Sequence, residues 1–314
     1  MDKLYVIAGP TASGKTAVAV ELAKQINGEV ISADSMQIYK HMDIGTAKPT
    51  QIEMDGIPHH LLDVVSPDMP FSVAKYTQLA TEAIQDILLR KKTPILAGGT
   101  GFYIKAVING TEFVDFEENQ HENDNHLREA YVRLSQEKGA VFLHEKLQLI
   151  DPDYAKTVHP NNIKKVARAL SFCDTTGGLF SVHNAAQKQS VAKYATSFNI
   201  LTMPREILYD RINARVISMW EAGLPEEVRG LLSRGYSPEL VSMQGIGYKE
   251  VVPFTNGYQT EDETIACIQQ ATRNYAKRQD TWFRHQVKDA RLVNMNGKAP
   301  HQIAEEINRE RSAF

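Results

Sequence analysis

The sequence predicts an α/β fold in which a parallel sheet, flanked by helices, carries a mostly helical insertion. Apolar runs of strand length alternate with segments of helical periodicity through the first hundred residues. A glycine-rich turn joins the first of these strands to the first helix, and helical patterns replace the alternation after about residue 114. Repeated β-α-β units place helices on both faces of a parallel sheet, because their crossovers are right-handed.

The glycine-rich turn at 9–16 reads GPTASGKT and satisfies the pattern G-x-x-x-x-G-K-[ST]. An apolar run at 4–8 precedes it and a helical pattern over 16–26 follows, which is the context of a phosphate-binding loop and of a P-loop NTPase-like sheet. Converging backbone N–H groups and the helix N-terminus would hold phosphate oxygens. We therefore expect a diphosphate to be bound by Gly9, Thr11, Ala12, Ser13, Gly14, Lys15 and Thr16.

Two side chains of this loop have separate predicted roles. The Lys15 ammonium would contact the terminal phosphate, and the Thr16 hydroxyl would bind Mg²⁺, which prefers oxygen ligands. The loop by itself leaves the ligand open, because many compounds carry a diphosphate.

Polar residues also follow two other predicted strands, at 29–33 and 94–99. Asp34 and Ser35 come directly after the first of these strands, and Thr100 follows the second. Ligands of open parallel sheets bind outside the carboxyl ends of the strands, so we expect these residues to share one crevice with the phosphate loop. Asp34 could act as a general base or bind Mg²⁺ through water, and a role as a helix cap stays open.

The helical insertion is predicted over 114–199, and it begins with an acidic, asparagine-rich stretch. A strand at 198–203 would then return the chain to the sheet. The P-loop core domain therefore comprises 1–113 and 200–314. Its C-terminal part is predicted to be helical over 205–222, 225–234 and 260–285.

The composition excludes several classes of protein. With 42% hydrophobic and 23% charged residues among 314, the chain is typical of a folded soluble protein. Cys173 and Cys267 are isolated, so we expect neither a zinc module nor a disulfide framework. No apolar run is long enough to cross a bilayer, and the first strand begins without a preceding signal peptide. We therefore expect a cytoplasmic protein with no membrane partner.

The net charge of −3 gives no overall signal for nucleic-acid binding, so such binding would have to depend on local clusters of basic residues. Arg211 and Arg215 lie one helical turn apart beside an apolar stripe, although this helix alone favours two solvated charges. Basic residues of the insertion include Lys164, Lys165 and Arg168. A further basic helix face, with the aromatic residues Tyr275, Trp282 and Phe283 interleaved, comprises Arg273, Lys277, Arg284 and Lys288. Cations beside aromatic rings suit RNA loops, but these rings could equally belong to a core.

Together these stretches resemble the tRNA dimethylallyltransferase (isopentenyltransferase) family, in order along nearly the whole chain. The resemblance is carried by GPTASGKT at 9–16, DSMQIYKHMDIGTAKP at 34–49, PHHLLD at 58–63, AGGTGFYIKA at 97–106, HPNN at 159–162, QGIGYKE at 244–250 and AKRQDTWFR at 276–284. It is weakest over 114–158 and 176–199. The zinc-finger tail of eukaryotic members has no counterpart here, so we expect the bacterial type.

The resemblance implies transfer of a dimethylallyl group from dimethylallyl diphosphate to N6 of adenine 37, in tRNAs that read codons beginning with U. It implies that the loop holds the donor diphosphate with Mg²⁺, that Asp34 is the general base, and that Thr100 and Arg215 contact the leaving group and substrate. The implied tRNA contacts are Asp34, Ser35, Met36, Gln37, Thr100, Lys164, Lys165, Val166, Ala167, Arg168, Gln244, Gly245, Ile246, Gly247, Tyr248, Lys249, Lys277, Arg278, Trp282 and Arg284. The insertion and the C-terminal helix would hold the anticodon stem-loop, and we expect a monomer.

Three other functions remain to be separated from this one. A small-molecule kinase would use the loop for ATP, but would need a second acceptor site and an arginine-rich lid. An isopentenyltransferase for free adenine nucleotides shares the loop and the aspartate, but has little use for the insertion and the basic helix. A non-catalytic RNA-binding module would not need Asp34 and Thr100 beside an intact phosphate loop.

Overall fold

The computed structural model describes residues 2–111, 118–188, 193–287 and 289–309, and it confirms the predicted α/β fold. The strands are β1 (Lys3–Ala8), β2 (Gly28–Ser32), β3 (His59–His60), β4 (Thr93–Gly98), β5 (Ala195–Thr202) and β6 (Arg291–Asn294). They form one sheet in the order β3-β2-β4-β1-β5-β6, and every pair of neighbours is parallel. The phosphate-loop strand β1 thus lies at the centre of the sheet.

The chain divides into two compact units, one made of Met1–Asn109 and Ala192–Phe314 and the other of Gly110–Val191. The helices are α1 (Lys15–Ile26), α2 (Gln51–Met54), α3 (Val73–Leu89), α4 (Gly101–Ile108), α5 (Glu118–Lys138), α6 (Ala140–Ile150), α7 (Pro152–Ala155), α8 (Ile163–Thr176), α9 (Phe180–Lys188), α10 (Arg205–Glu221), α11 (Leu224–Ser233), α12 (Tyr248–Thr255), α13 (Glu261–Gln286) and α14 (Pro300–Arg309). Helices α5 to α9 belong to the second unit, which we call the insertion unit.

The side chains of β1 alternate between two hydrophobic cores, as the pleat of a strand requires. Leu4 and Val6 point into a core that α3, α4 and α13 complete. Tyr5 and Ile7 point into the opposite core, where α1 and α14 pack. A sheet covered by helices on both faces leaves only the ends of its strands for a ligand.

The observed divisions of the chain differ from the predicted boundaries at 113/114 and 199/200. The first of these lies outside the described residues. The second falls inside β5, because residues 195–199 already pair with β1, with Lys3 opposite Ala195. The sequence Ala-Thr-Ser at the start of β5 is short of the apolar residues that mark a buried strand, so the prediction began this strand too late.

The C-terminal helices α10, α11 and α13 lie within a residue or so of their predicted bounds. Helix α12, strand β6 and helix α14 were not predicted. Strand β6 has four residues, of which only Val293 is buried, so it has no recognisable strand pattern. Within the described ranges, no helix has the length and apolar character to span a membrane.

Candidate active site

The phosphate loop connects β1 to α1, as predicted. Gly14 precedes the helix in the left-handed conformation, with φ of 87°, and directs the loop backbone into the first turn. The hydroxyl of Ser13 is buried and has no hydrogen-bond partner among the described residues. A buried hydroxyl without a partner is costly, so its presence in this loop favours a bound anion.

Lys15 and Arg215 bring two positive charges to this loop. The Lys15 Nζ donates a hydrogen bond to the Pro10 carbonyl oxygen at 2.7 Å. Removal of the ammonium from water lowers the pKa of Lys15 to about 8, the charge of Asp34 opposes this, and that of Arg215 adds to it. Burial also lowers the pKa of Arg215, against the charges of Glu53 and Asp34. Arg215 therefore belongs to the site, whereas Arg211 on the same helix is solvent-exposed.

Asp34 lies just beyond the carboxyl end of β2, and it does not cap a helix. Its Oδ1 accepts a hydrogen bond from the Met36 backbone N–H at 2.9 Å, which forms a local turn rather than the first turn of a helix. That bond is the one the structure gives to this carboxylate in the described part of the chain, so Oδ2 can accept a proton or bind a cation. The general-base role and the role in holding Mg²⁺ both remain open to Asp34.

Thr100 ties the end of β4 to the end of β2. Its Oγ1 accepts a hydrogen bond from the Ser35 backbone N–H at 3.0 Å, and its own N–H donates to the Ala33 carbonyl oxygen at 3.0 Å. The predicted convergence of the phosphate loop, Asp34, Ser35 and Thr100 at one sheet edge is therefore present in the structure.

Two core tyrosines lie near Asp34, and sequence reasoning missed both. The rings of Tyr76 and Tyr103 stack with centroids 4.1 Å apart. Burial raises the pKa of Tyr103 to about 12, with further contributions from Tyr39 and the charge of Asp34. Burial likewise raises the pKa of Tyr76, whose hydroxyl donates to the Ser32 carbonyl oxygen at 3.0 Å. Both hydroxyls therefore stay neutral, and the two rings belong to the hydrophobic core beside Asp34.

The donor set at this edge fits a magnesium ion bound together with a diphosphate. The Thr16 hydroxyl and the Asp34 carboxylate are half-buried hard oxygen ligands of the kind Mg²⁺ prefers. Among the described residues, no cluster of three His, Cys, Asp or Glu side chains forms a metal site on its own. Phosphate oxygens and water would therefore have to complete the coordination.

One face of α13 lines an open groove of about 580 Å³, formed by Asn274, Lys277, Arg278, Thr281, Trp282, His285 and Gln286. Three of the four predicted RNA contacts of this helix lie there, namely Lys277, Arg278 and Trp282. The fourth, Arg284, forms an ion pair with Asp280 at 2.9 Å and does not line the groove, so its RNA contact stays a prediction.

Of the basic face predicted on α13, Lys277 lines the groove. The Arg273 side chain donates to Asn213 of α10 at 2.6 Å and does not line the groove. The ring of Trp282 packs so close to α4 that a Cβ on Gly101 would be 2.1 Å from it. Lys288 lies outside the described residues.

The two stretches predicted to contact tRNA at 34–37 and 244–249 pack against each other, and some of their side chains are used within the fold. The methyl of Met36 lies against Gly245, where an added Cβ would be 2.4 Å away. The Gln37 amide accepts from Ser32 Oγ at 2.9 Å and donates to the Ala47 carbonyl oxygen at 3.2 Å. Tyr248 is fully buried, and Gly247 is also buried. Exposed side chains that can reach a partner from the second stretch are Gln244 and Lys249, with Ile246 partly exposed.

In the insertion unit, α8 carries all five predicted RNA contacts at 164–168, and only some can be made by side chains. Lys164, Lys165 and Arg168 are exposed. Val166 and Ala167 are buried in the core of this unit, at 0% and 1% exposure. A helix packed on a core exposes only one of its faces. The prediction that all five residues contact RNA is therefore wrong for the side chains of Val166 and Ala167.

The comparison with protein families identifies the family of the chain. A family model described as IPP transferase matches residues 37–286. The chain belongs to the IPP transferase family.

Individual relatives agree with this assignment to the IPP transferase family. The chain is 46% identical to the tRNA dimethylallyltransferase of Lachnoclostridium phytofermentans, over 91% of this chain and 90% of the relative. It is 48% identical to that of Acetivibrio thermocellus, over 90% and 89%. Among solved structures, a tRNA delta(2)-isopentenylpyrophosphate transferase from Staphylococcus epidermidis has a TM-score of 0.72 and 39% identity, covering 100% of this chain and 99% of that one. A eukaryotic dimethylallyltransferase acting on tRNA has a TM-score of 0.82 and 29% identity, covering 100% and 80%.

Glu227 is a further residue that the sequence did not reveal, and it joins two of the stretches predicted to contact tRNA. Its carboxylate accepts hydrogen bonds from the backbone N–H groups of Asp43 and Ile44, both at 2.8 Å, and of Gly45 at 3.0 Å. It also accepts from the Tyr248 hydroxyl at 2.6 Å. One carboxylate on α11 thus joins the loop after 34–37 to the stretch 244–249.

We expect Glu227→Gln to destabilise the protein by about 1–3 kcal/mol, because an amide nitrogen would face backbone N–H donors and leave some of them unpaired. The measurement is urea unfolding, with kcat/KM for the acceptor determined in parallel. Glu226→Gln is the matched control, since Glu226 is an exposed neighbour that pairs with Arg229 at 2.7 Å. Equal unfolding midpoints for the two variants would mean that the hydrogen bonds of Glu227 do not stabilise the fold.

Proposed function

We propose that this chain transfers a dimethylallyl group from dimethylallyl diphosphate to tRNA, at N6 of adenine 37 in tRNAs that read codons beginning with U. The observation that carries the proposal is the convergence of an intact phosphate loop with Asp34 at one sheet edge, within reach of the charges of Lys15 and Arg215. The names of the relatives, tRNA dimethylallyltransferases, support the same activity.

The chemistry requires strong activation of the donor. The lone pair of an adenine amino group is delocalised into the ring, so N6 is a weak nucleophile. The C–O bond of the donor must therefore weaken as the C–N bond forms, and the bonding electron pair leaves with the diphosphate. Backbone N–H groups of the loop, Lys15 and Arg215 are suited to stabilise that developing negative charge.

Asp34 completes the transfer by accepting a proton. As N6 bonds to the allylic carbon it becomes positively charged, and one of its protons passes to the carboxylate. Oδ1 stays engaged with the Met36 N–H, so Oδ2 is the available base. Thr100 holds the neighbouring turn through Ser35 and is suited to contact the target nucleotide.

Thr16 is the residue that would hold a magnesium ion beside the diphosphate. When bound, Mg²⁺ supplies positive charge to the leaving group. The stacked rings of Tyr76 and Tyr103 would exclude water near Asp34, which matters because water would hydrolyse the activated donor. An adenine turned out of an RNA loop could close the crevice, and a loop base is extruded at little cost.

The acceptor would be held by the α13 groove and by the exposed cations of the insertion unit. Lys277 and Arg278 are suited to phosphates, and the partly exposed ring of Trp282 is suited to contact a base in the same groove. Lys164, Lys165 and Arg168 would bind the same anticodon stem-loop from α8. We further propose that the protein acts as a monomer in the cytoplasm, because one chain supplies a complete donor site and RNA surface.

We expect Lys277→Ala and Arg278→Ala each to weaken tRNA binding and to flatten its dependence on salt. Each lost phosphate contact should reduce the slope of log K against log salt by about 0.7–0.9. Binding of a labelled anticodon stem-loop at several salt concentrations gives this slope. Arg229→Ala removes an exposed arginine of α11, outside the α13 groove, and serves as the control. A slope equal to that of the unmodified protein would exclude this face from the RNA.

The rival functions differ in which substrate is consumed. The test is incubation with labelled dimethylallyl diphosphate and either unmodified tRNA or AMP, and separately with ATP. We expect label in the tRNA alone and no consumption of ATP. Label in AMP would favour a nucleotide isopentenyltransferase, and consumption of ATP without prenyl transfer would favour a kinase.

A further inference from the structure

Gln279 is a buried side chain of α13 that connects the ends of two strands. Its Oε1 accepts a hydrogen bond from the Thr11 backbone N–H in the phosphate loop at 2.8 Å. Its Nε2 donates to the carbonyl oxygen of Gly99, just before Thr100, at 3.0 Å. The side chain is only 6% exposed, so both bonds are shielded from water. None of the predicted contacts includes this residue.

The surroundings of Gln279 allow one orientation of its amide. A backbone donor faces one end and a backbone acceptor faces the other, so the two ends cannot be exchanged. Gly99 is required at the contact, since a Cβ there would lie 2.2 Å from Nε2. A carboxylate in place of the amide would set negative charge against the Gly99 oxygen, and an apolar side chain would leave both backbone groups unpaired.

A second side chain of α13 extends this connection. Burial raises the pKa of Tyr275, one turn before Gln279, and the charge of Asp34 adds to this, whereas the neighbouring side chains of Thr100 and Gln279 oppose it. The inner face of α13 therefore holds both the phosphate loop and the Thr100 turn. The outer face carries Lys277, Arg278 and Trp282 in the groove.

We propose that Gln279 is a positioning residue that sets the distance between the diphosphate loop and the Thr100 turn, and thereby between the leaving group and the attacking base. The proposal rests on the proposed function, because only a two-substrate reaction at this edge needs that distance held. Gln279 itself touches neither substrate. Of the loop N–H groups, the one that Gln279 binds is that of Thr11, so loss of Gln279 should leave donor binding largely intact while the reacting atoms fall out of line.

The first test separates catalysis from binding in Gln279→Leu and Gln279→Glu. We expect kcat to fall by about 10²-fold, the usual consequence of misplacing reacting groups by about 1 Å, with a much smaller change in the affinity for donor. Gln270→Leu is the control, because Gln270 is exposed on the same helix. A loss of donor affinity as large as the loss of kcat, or an unchanged kcat, would overturn the positioning role.

The second test uses the contact with Gly99 and does not depend on the folding of one variant. Gly99→Ala should lower kcat in the otherwise unmodified protein, because its methyl group would displace the Gln279 amide. In a Gln279→Ala background the space is free, so the same substitution should have little further effect. Effects that multiply in the double variant would overturn the proposal. An unmodified protein that transfers no dimethylallyl group would instead overturn the proposed function, and the role of Gln279 with it.

Discussion

Asp34→Asn is expected to lower kcat by about 10²–10⁴-fold, the usual contribution of a general base. Asparagine keeps the size of the side chain and an oxygen that can accept the Met36 N–H, so the turn after β2 should persist. It cannot take the proton from N6, so the C–N bond would form against an unrelieved positive charge. Single-turnover rates with saturating donor and tRNA measure this loss.

Binding measurements make the interpretation of Asp34→Asn specific. The affinity for tRNA should stay close to that of the unmodified protein, because one uncharged amide replaces one carboxylate among many contacts. Asp68→Asn, at an exposed position, is the matched control and should leave the rate unchanged. Turnover by Asp34→Asn near that of this control would remove Asp34 from the role of base.

Lys15→Met is expected to lower kcat/KM for the donor by about 10²–10³-fold, the loss found when one stabilising donor to a developing anion is removed. Methionine keeps the length of the side chain but has no charge. Lys24→Met on the same helix is the control, since Lys24 pairs with Glu21 and Asp55 at the surface. A similar donor kcat/KM for the two variants would mean that the loop lysine does not act on the diphosphate.

The lowered pKa of Lys15 adds a dependence on pH. The charged lysine binds the diphosphate, so affinity is full below pH 8 and falls as pH rises through the pKa of about 8. The fall should approach about tenfold per pH unit if only the charged form binds. A phosphate group completes its own ionisation near pH 6, so it does not mask the effect. Donor affinity of Lys15→Met should be flat over this range; the same fall in both proteins would contradict the assignment.

The parts of the site that could be predicted are those that a short stretch of sequence encodes. The phosphate loop is a contiguous pattern with a strand before it and a helix after it. Asp34 and Thr100 follow predicted strands, and parallel strands end at a common edge, so their convergence follows from the sheet alone. Arg215 could not be separated from Arg211 by spacing, because burial decides between them and depends on which way α10 faces.

The parts that could not be predicted depend on contacts between distant segments. Gln279 bonds to Thr11 across 268 residues, and no periodicity marks it. The sequence around Glu227 is that of an amphipathic helix, in which a glutamate is usually a solvated surface residue. In the structure its carboxylate accepts four hydrogen bonds. Motif matching also failed to distinguish side chains that face a partner from those that hold the fold. Tyr248 and Gln37 lie in matching stretches, but their polar groups are used within the protein.

The most direct test of the central claim is nucleoside analysis by mass spectrometry after reaction of the protein with dimethylallyl diphosphate and an anticodon stem-loop. Two stem-loops should be compared, one with adenosine at position 37 and one with guanosine there. The claim predicts N6-(dimethylallyl)adenosine and free diphosphate in equal amounts with the first RNA and neither with the second. Diphosphate release without modified adenosine, or modification at another position of both RNAs, would contradict it.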